Sequence, residues 1–303
     1  MRLLATQSHV VHGYVGNKAA TFPLQCLGWD VDCCNTVQFS NHTGYGLDNV
    51  KGDATTGTQL DQLLMGVFKN FPHEYCALLS GYLPHAEAVR RMGDRYGQYK
   101  SANPETLWLM DPVMGDEGQL YVSEDVVPEY KHLVFNPNVG VDIITPNQFE
   151  LEVLHGSAVT TLQELKETLS VMHEHIPIIV LTSLDARLFQ DPHHIYCAAS
   201  QKDEPPVILK VPLIDSYFTG VGDIFSALLM DRIYRNRADL NLVSCVNDVL
   251  NIVQTVLKVT HKFSPRGVSM GSQLMKDSEL RLIECRDLYA GNEVIDFTYK
   301  TLY

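Results

Sequence analysis

The chain contains no C-x-x-C pair. Its seven cysteines, Cys26, Cys33, Cys34, Cys76, Cys197, Cys245 and Cys285, are odd in number and scattered. That pattern argues against a zinc site or a disulfide framework and for a reducing compartment. Positive charge is scarce: 23 Lys plus Arg stand against 36 Asp plus Glu, for a net charge of −13. This balance argues against a nucleic-acid surface or an anionic membrane as partner. It leaves phosphorylated ligands open, because a local cradle of backbone N–H groups can hold them. No apolar run stands out as long enough to span a bilayer. The opening Met1–Ser8 turns polar at Thr6, which leaves no signal-peptide core. A cytoplasmic location is expected, with the nucleus left open. There is no G-x-x-x-x-G-K-[ST], no G-x-G-x-x-G after the first strand (Gly13 and Gly16 are wrongly spaced) and no H-E-x-x-H. A P-loop is thereby excluded, a dinucleotide-binding oxidoreductase becomes remote, and a metalloprotease helix is absent. No repeat, low-complexity run or linker appears, so one domain over 1–303 is expected.

Apolar periodicity predicts strands alternating with helices. Strands are read at 3–5, 29–39, 76–79, 107–110, 141–144 and 177–181, followed by a hairpin of 194–199 with 207–211. Helices are read at 18–27, 59–71, 85–99, 123–133 (Ser123 as N-cap), 148–154, 162–175, 224–234 and 242–262, with a short element at 278–285. Pro23 implies a first-turn position or a kink in its helix. Such alternation implies right-handed βαβ units. The expected fold is a three-layer α/β/α sandwich with a largely parallel central sheet. Segment 44–58 is polar, glycine-studded and long for a connection, so it reads as a mobile lid. Ligands of such sheets lie beyond the C-terminal strand ends. Ser8, Tyr82, Asp111, Thr145 and Thr182 each follow a predicted strand, which makes a pocket there.

The chemistry gathers around Gly220, Val221, Gly222 and Asp223. A glycine turn opening a helix exposes N–H groups that no helical carbonyl satisfies, and the helix dipole adds partial positive charge. That is a site for an anion, with Asp223 as a base beside it or as an ordinary N-cap. Asp111 and Asp116 bracket a Pro-Val-Met-Gly turn. They either hold a divalent ion through water, or cap a turn and stand in solvent. Asn147 and Glu150 form either a capping box or a site where Glu150 orders metal-bound water. Thr182 and Ser183 bind phosphate or merely end a strand.

Taken together, several stretches resemble the pyridoxal kinase family of ribokinase-like kinases. They are Gln7–Val10, Gly13–Ala20, Val37–Tyr45, Asp111–Asp116, Ile144–Glu150 and Gly220–Asp223, in family order over most of the chain. The resemblance implies a ribokinase-like fold and ATP-dependent phosphorylation of the 5′-hydroxyl of pyridoxal, pyridoxine and pyridoxamine. Asp223 would be the general base, and the backbone of Gly220, Val221 and Gly222 the oxyanion cradle. Ser8 would bind the pyridine nitrogen and Thr43 the vitamin, between apolar walls of Val15, Val37, Phe39 and Tyr82. Asp111, Asp116, Asn147, Glu150, Thr182, Ser183, Ile214 and Val221 would border ATP, with Tyr121 closing over its phosphates. Asp116 and Glu150 would act on Mg²⁺ through water. Asp111, Thr145 and Thr182 would lie near a monovalent cation, K⁺. A homodimer is also implied. Two departures stand out. Val221 lacks the hydroxyl that related vitamin kinases often carry there, and segment 46–58 differs from the usual lid. A hydroxymethylpyrimidine kinase and a non-catalytic pyridoxal-phosphate carrier are the alternatives.

Overall fold

Leu3, Leu4 and Ala5 are neighbours in the chain but belong to different layers. Leu3 and Ala5 pack with one group of buried side chains and Leu4 with another. The same alternation holds at Leu78 against Ala77 and Leu79, and at Val180 against Ile179 and Leu181. Strands apolar on both faces need a helical layer on each side.

The computed structural model describes residues 1–263, 271–290, 297 and 299–303. In chain order its elements are β1 (Arg2–Val10), α1 (Asn17–Cys26), β2 (Asp30–Phe39), β3 (Gly52–Ala54), α2 (Gly57–Asn70), β4 (Ala77–Ser80), α3 (Ala86–Ala102) and β5 (Leu107–Met110). Next come β6 (Gly115–Asp116), β7 (Gln119–Leu120), α4 (Val126–Phe135), β8 (Ile143–Ile144), α5 (Gln148–His155), α6 (Leu162–Met172) and β9 (Ile178–Leu184). The chain continues with β10 (His194–Gln201), β11 (Val207–Pro212), α7 (Val221–Asn236), α8 (Leu242–Phe263), α9 (Ser272–Asp277) and β12 (Tyr299–Thr301). The main sheet runs β12-β11-β10-β9-β8-β5-β4-β1-β2-β3, with β6 and β7 a separate pair. From β9 to β2 neighbouring strands are parallel. Antiparallel β3 lies at one edge and the β10–β11–β12 ribbon at the other. Helices α2 to α6 supply one apolar layer, and α1, α7 and α8 the other. The α/β/α sandwich is therefore as expected.

Several boundaries differ from the reading of the sequence. The ladder with β2 carries β1 five residues past Ala5, through the polar run Thr6–His9. Ser123 does not cap α4. The helix begins at Val126, which places Pro128 in its first turn, where a missing N–H costs nothing. Pro23 lies in the interior of α1 and forfeits one helical hydrogen bond. Residues 278–285 form turns between α9 and a single 3₁₀ turn at Arg286–Leu288 rather than an element of their own. Segment 44–58 is not a structureless loop. It holds two 3₁₀ turns, Thr43–Tyr45 and Leu47–Asn49, and then β3, which pairs with Val37–Phe39 before α2 starts. Helix α8 is long and apolar enough to cross a membrane by length and composition, which the sequence reading did not single out; 67% of its most apolar window is buried inside the fold.

A buried carboxylate joins α7 to the turn before β2. Asp231 is fully buried and accepts hydrogen bonds from Trp29 Nε1 at 2.7 Å and from Arg232 and Arg235, each at 2.6 Å. Both arginines also donate to carbonyls, of Tyr289 and Leu27 respectively. Removing one partner of a buried pair leaves the other uncompensated. Asp231→Ala is expected to destabilise the fold by about 3 kcal/mol in urea denaturation. Asp185→Ala, which breaks a pair with the 91%-exposed Arg187 side chain, should cost less than about 1 kcal/mol.

Candidate active site

The parallel strands end on one side of the sheet, and α7 starts there too. Gly220 caps α7 with φ +85°. A Cβ at Gly220 would stand 2.2 Å from the Tyr14 carbonyl oxygen, so the left-handed turn and the close approach both require glycine. Val221, Gly222 and Asp223 are the first three helical residues, and their N–H groups have no helical acceptor. Among the described residues no side chain caps this end. Asp223 is therefore not the N-cap of the bland reading. The Val221 side chain packs against the core and turns only its backbone to the site. Thr219, one residue before Gly220, has a buried hydroxyl with no hydrogen-bond partner among the described residues.

Asp223 Oδ2 accepts the N–H of Gly16 at 2.7 Å. Gly16 has φ +52°, and a Cβ there would meet the Ser8 carbonyl oxygen at 2.1 Å and Ser8 Oγ at 2.3 Å. This glycine thus brings Ser8 and Asp223 to opposite sides of one turn. Ser8 lies inside β1, not after it, where the register with β2 slips between Gln7 and His9. Such an irregularity re-aims a side chain. Val37 and Phe39 come from the facing stretch of β2, and Tyr82 follows β4, where its carbonyl accepts the Thr36 hydroxyl at 2.8 Å. Val15 and Val37 are buried, Phe39 and Tyr82 are half-buried, and Thr43 is exposed on its 3₁₀ turn.

Deeper in, Asp111 follows β5 and Thr145 follows β8. Ser226 of α7 links them, with its hydroxyl 2.9 Å from Thr145 Oγ1 and 3.4 Å from Asp111 Oδ2. Gly222 leaves room here, since a Cβ would stand 3.4 Å from Asp111 Oδ2. Glu150 sits in the first turn of α5. Its Oε2 accepts the Asn147 N–H at 2.9 Å, and its Oε1 accepts the N–H groups of Met114 at 2.9 Å and Gly115 at 3.4 Å. The Asn147–Glu150 capping box is real, and it holds the carboxylate toward the Asp111–Asp116 turn. Asp116 lies on the β6–β7 hairpin, with its carboxylate on the Glu117 N–H at 2.8 Å. Tyr121, just past β7, is 62% exposed. Thr182 and Ser183 belong to β9 and do not follow it; the Thr182 N–H donates to the Pro146 carbonyl at 3.0 Å. Ile214 lies in the segment between β11 and α7 and packs on the core.

The electrostatics are those of crowded acids. Burial, then Glu150 and Asp223, push the Asp111 carboxyl well above the usual carboxylate range, against hydrogen bonds from Ser226 and Thr145. Burial lifts Glu150 to about 7, against the three N–H donors and helped by Asp116. Burial raises Asp223 too, with the Gly16 N–H opposing it. An all-oxygen set carrying surplus negative charge fits hard cations, so the residues suit Mg²⁺ and a monovalent ion. Among the described residues no three His, Cys, Asp or Glu side chains form a direct cage. Mg²⁺ that keeps its waters needs only one or two carboxylates.

Reasoning from sequence assigned no role to Gly16 or Ser226, and placed Thr219 only within the run from Ile214 to Val221 that would border ATP. Ser226 stands three residues after Asp223, the spacing of a shared helix face, but an apolar neighbourhood hid it. A cleft of about 710 Å³ also opens beside the Gly13–Tyr14 turn, lined by Val11, Lys18, Glu279 and Arg281 among others.

Residues 59–262 match the family model described as phosphomethylpyrimidine kinase. The Saccharomyces cerevisiae protein BUD16 is 61% identical over 99% of both chains. The pyridoxal kinase of Bos taurus is 34% identical over 97% of this chain and 96% of its own. A Leishmania donovani pyridoxal kinase, solved with ADP and pyridoxamine, superposes with a TM-score of 0.86 at 30% identity, covering 100% of this chain and 99% of that one. These likenesses run through both helical layers and every strand end described above, and on them the chain belongs to the pyridoxal kinase family.

Proposed function

We propose that this chain transfers the γ-phosphoryl group of ATP to the 5′-hydroxyl of pyridoxal, pyridoxine and pyridoxamine, giving the 5′-phosphate and ADP. The observation that carries this reading is the start of α7, where unsatisfied N–H groups stand beside a carboxylate fixed by Gly16. Phosphoryl transfer asks little covalent work of a protein. It asks for in-line positioning and for neutralised charge. The N–H groups of Val221, Gly222 and Asp223 face the negative charge of the phosphoryl oxygens. With Oδ2 held by Gly16, Asp223 keeps Oδ1 for the alcohol, whose proton it takes as the new O–P bond forms. A raised pKa makes it a better proton acceptor than an ordinary aspartate.

Ser8 and Thr43 orient the vitamin between Val15, Val37, Phe39 and Tyr82. Asn147, Thr182, Ser183 and Ile214 border ATP, and Tyr121 covers its phosphates. Asp116 and Glu150 would hold Mg²⁺ through water, and Asp111, Thr145 and Thr182 would lie near K⁺. Bound there, the ions supply positive charge against the phosphates. Segment 44–58 acts as the lid, which excludes water and limits idle ATP hydrolysis. The whole chain works as one kinase domain. Seven free cysteines favour the reducing cytoplasm, and a homodimer is the assembly, to be seen as twice the chain mass in sedimentation.

The family model's own description favours a second reading, a hydroxymethylpyrimidine kinase. A substrate panel assayed for ADP separates the two, and the absence of ADP with every vitamer would leave a carrier protein.

In that assay Asp223→Ala is expected to lower kcat by about two to four orders of magnitude; near-wild-type turnover would refute the assignment. The wild-type pH profile should lose activity as pH falls, because a protonated base accepts nothing. Its acid limb should lie above the ordinary aspartate value of about 3.9, since burial raises Asp223. Asp116→Ala is expected to raise the Mg²⁺ concentration for half-maximal rate by about tenfold or more, which a Mg²⁺ titration at saturating ATP measures.

A further inference from the structure

Three distant segments meet at one carboxylate that the reaction above does not use. Glu279 follows α9, and its side chain is 12% exposed. Its Oε2 accepts the N–H of Tyr14 at 3.0 Å. Its Oε1 accepts the Tyr45 hydroxyl at 3.0 Å and lies 3.4 Å from His42 Nε2. Gly13, with φ +91°, admits it, because a Cβ there would stand 2.3 Å from Oε1. Burial works to raise this carboxyl, but hydrogen bonding and charge from His42, with Tyr14 and Tyr45, outweigh it and hold it below the ordinary value.

What these contacts fix is specific. His42 and Tyr45 bracket Thr43, with ring centroids 4.7 Å apart and the Tyr45 N–H donating to the His42 carbonyl at 3.3 Å. Tyr14 leads into Val15 and then Gly16, whose N–H holds Asp223. One side of Glu279 therefore grips the turn that carries Thr43. The other grips the turn that carries Val15 and aligns the base. Among the described residues the partners of Glu279 are Tyr14, His42 and Tyr45, none of them on the Asp116, Glu150 or Thr182 side of the site, where the nucleotide is assigned.

Resting on the vitamin-kinase reading, we propose that Glu279 is a positioning residue for the vitamin: it sets the spacing between the Thr43 turn and the Val15–Gly16 turn so that the alcohol reaches Asp223. It has no part in binding ATP. Loss of the carboxylate leaves the Tyr14 N–H and the Tyr45 hydroxyl without their acceptor. The Thr43 turn is then tied to the Gly13–Gly16 turn by nothing at this point.

The test is steady-state kinetics with pyridoxal and ATP each varied, on wild type, Glu279→Gln, Glu279→Ala and Tyr45→Phe. Misplacement of a substrate-holding group by an ångström or so is costly, so Glu279→Ala should raise the KM for pyridoxal by about tenfold or more. The KM for ATP should stay within about twofold. Glu279→Gln keeps one acceptor oxygen and should fall between wild type and Ala. Tyr45→Phe removes a single hydrogen bond and should raise only the pyridoxal KM, by a smaller factor. Unchanged pyridoxal KM in the folded variants overturns the proposal. So does a parallel rise in both KM values, the mark of general structural loss. Should Glu279→Ala not fold, Glu279→Gln and Tyr45→Phe decide by the same criterion. Wild type that forms no ADP with pyridoxal removes the kinase reading and this inference with it, whereas active wild type with unaffected variants removes this inference alone.

Discussion

The hydrogen bond from the Gly16 N–H to Asp223 Oδ2 joins the first crossover of the chain to the seventh helix. It spans 207 positions in 2.7 Å. Its geometry demands glycine twice over, at Gly16 against Ser8 and at Gly220 against the Tyr14 carbonyl. The carboxylate can sit in the first turn of α7 because that end of the helix carries partial positive charge. Its affinity for a proton is raised, because burial opposes its ionisation more strongly than one N–H favours it. Where the turn after β1 meets the start of α7 is set by this contact.

Behind it lies an accumulation of acids that the sheet imposes. β4, β5, β8 and β9 are neighbours, so whatever follows their C-terminal ends is packed together. Asp111 and Thr145 follow two of these ends directly, and Glu150 arrives on the helix after the second. Local donors offset part of the cost of burying these acids. Three N–H groups serve Glu150, and two hydroxyls serve Asp111. Neutral donors oppose the cost of burial without cancelling it, since burial, helped by Asp116, still raises Glu150 to about 7. A site built this way has the oxygen donors and the crowded acids that suit a hard cation.

The layers were legible because strands buried on both faces and amphipathic helices repeat with different periods. The turn at Gly220–Asp223 was legible as a motif, and Asn147 with Glu150 as a capping box. What escaped has physical reasons. Ser8 and Thr182 lie within strands because ladder pairing carries a polar run that hydropathy alone would end. Ser226 is an unremarked serine until the fold sets it between Asp111 and Thr145. Glu279 had no local signature at all, since its partners Tyr14, His42 and Tyr45 lie more than 230 positions away.

Segment 44–58 shows how a polar stretch can be ordered and still poised to move. β3 holds to β2 through only three residue pairs, and its residues Gly52, Asp53 and Ala54 are exposed. Elements with few buried contacts lie at the low-stability end of a fold. Gly46 and Gly52, at φ +92° and +122°, bound the piece between the Thr43 turn and β3, so a backbone change there meets no Cβ. The two ends behave differently. Helix α2 is anchored by the Thr56 capping box and by buried Leu60 and Leu64, while Tyr45 is held by Glu279. The less anchored part of the segment thus lies between Gly46 and Ala54. If the segment serves as the proposed lid, closing it over a bound vitamin would leave Thr43 and the helix behind it in place, since both anchors lie outside the moving span.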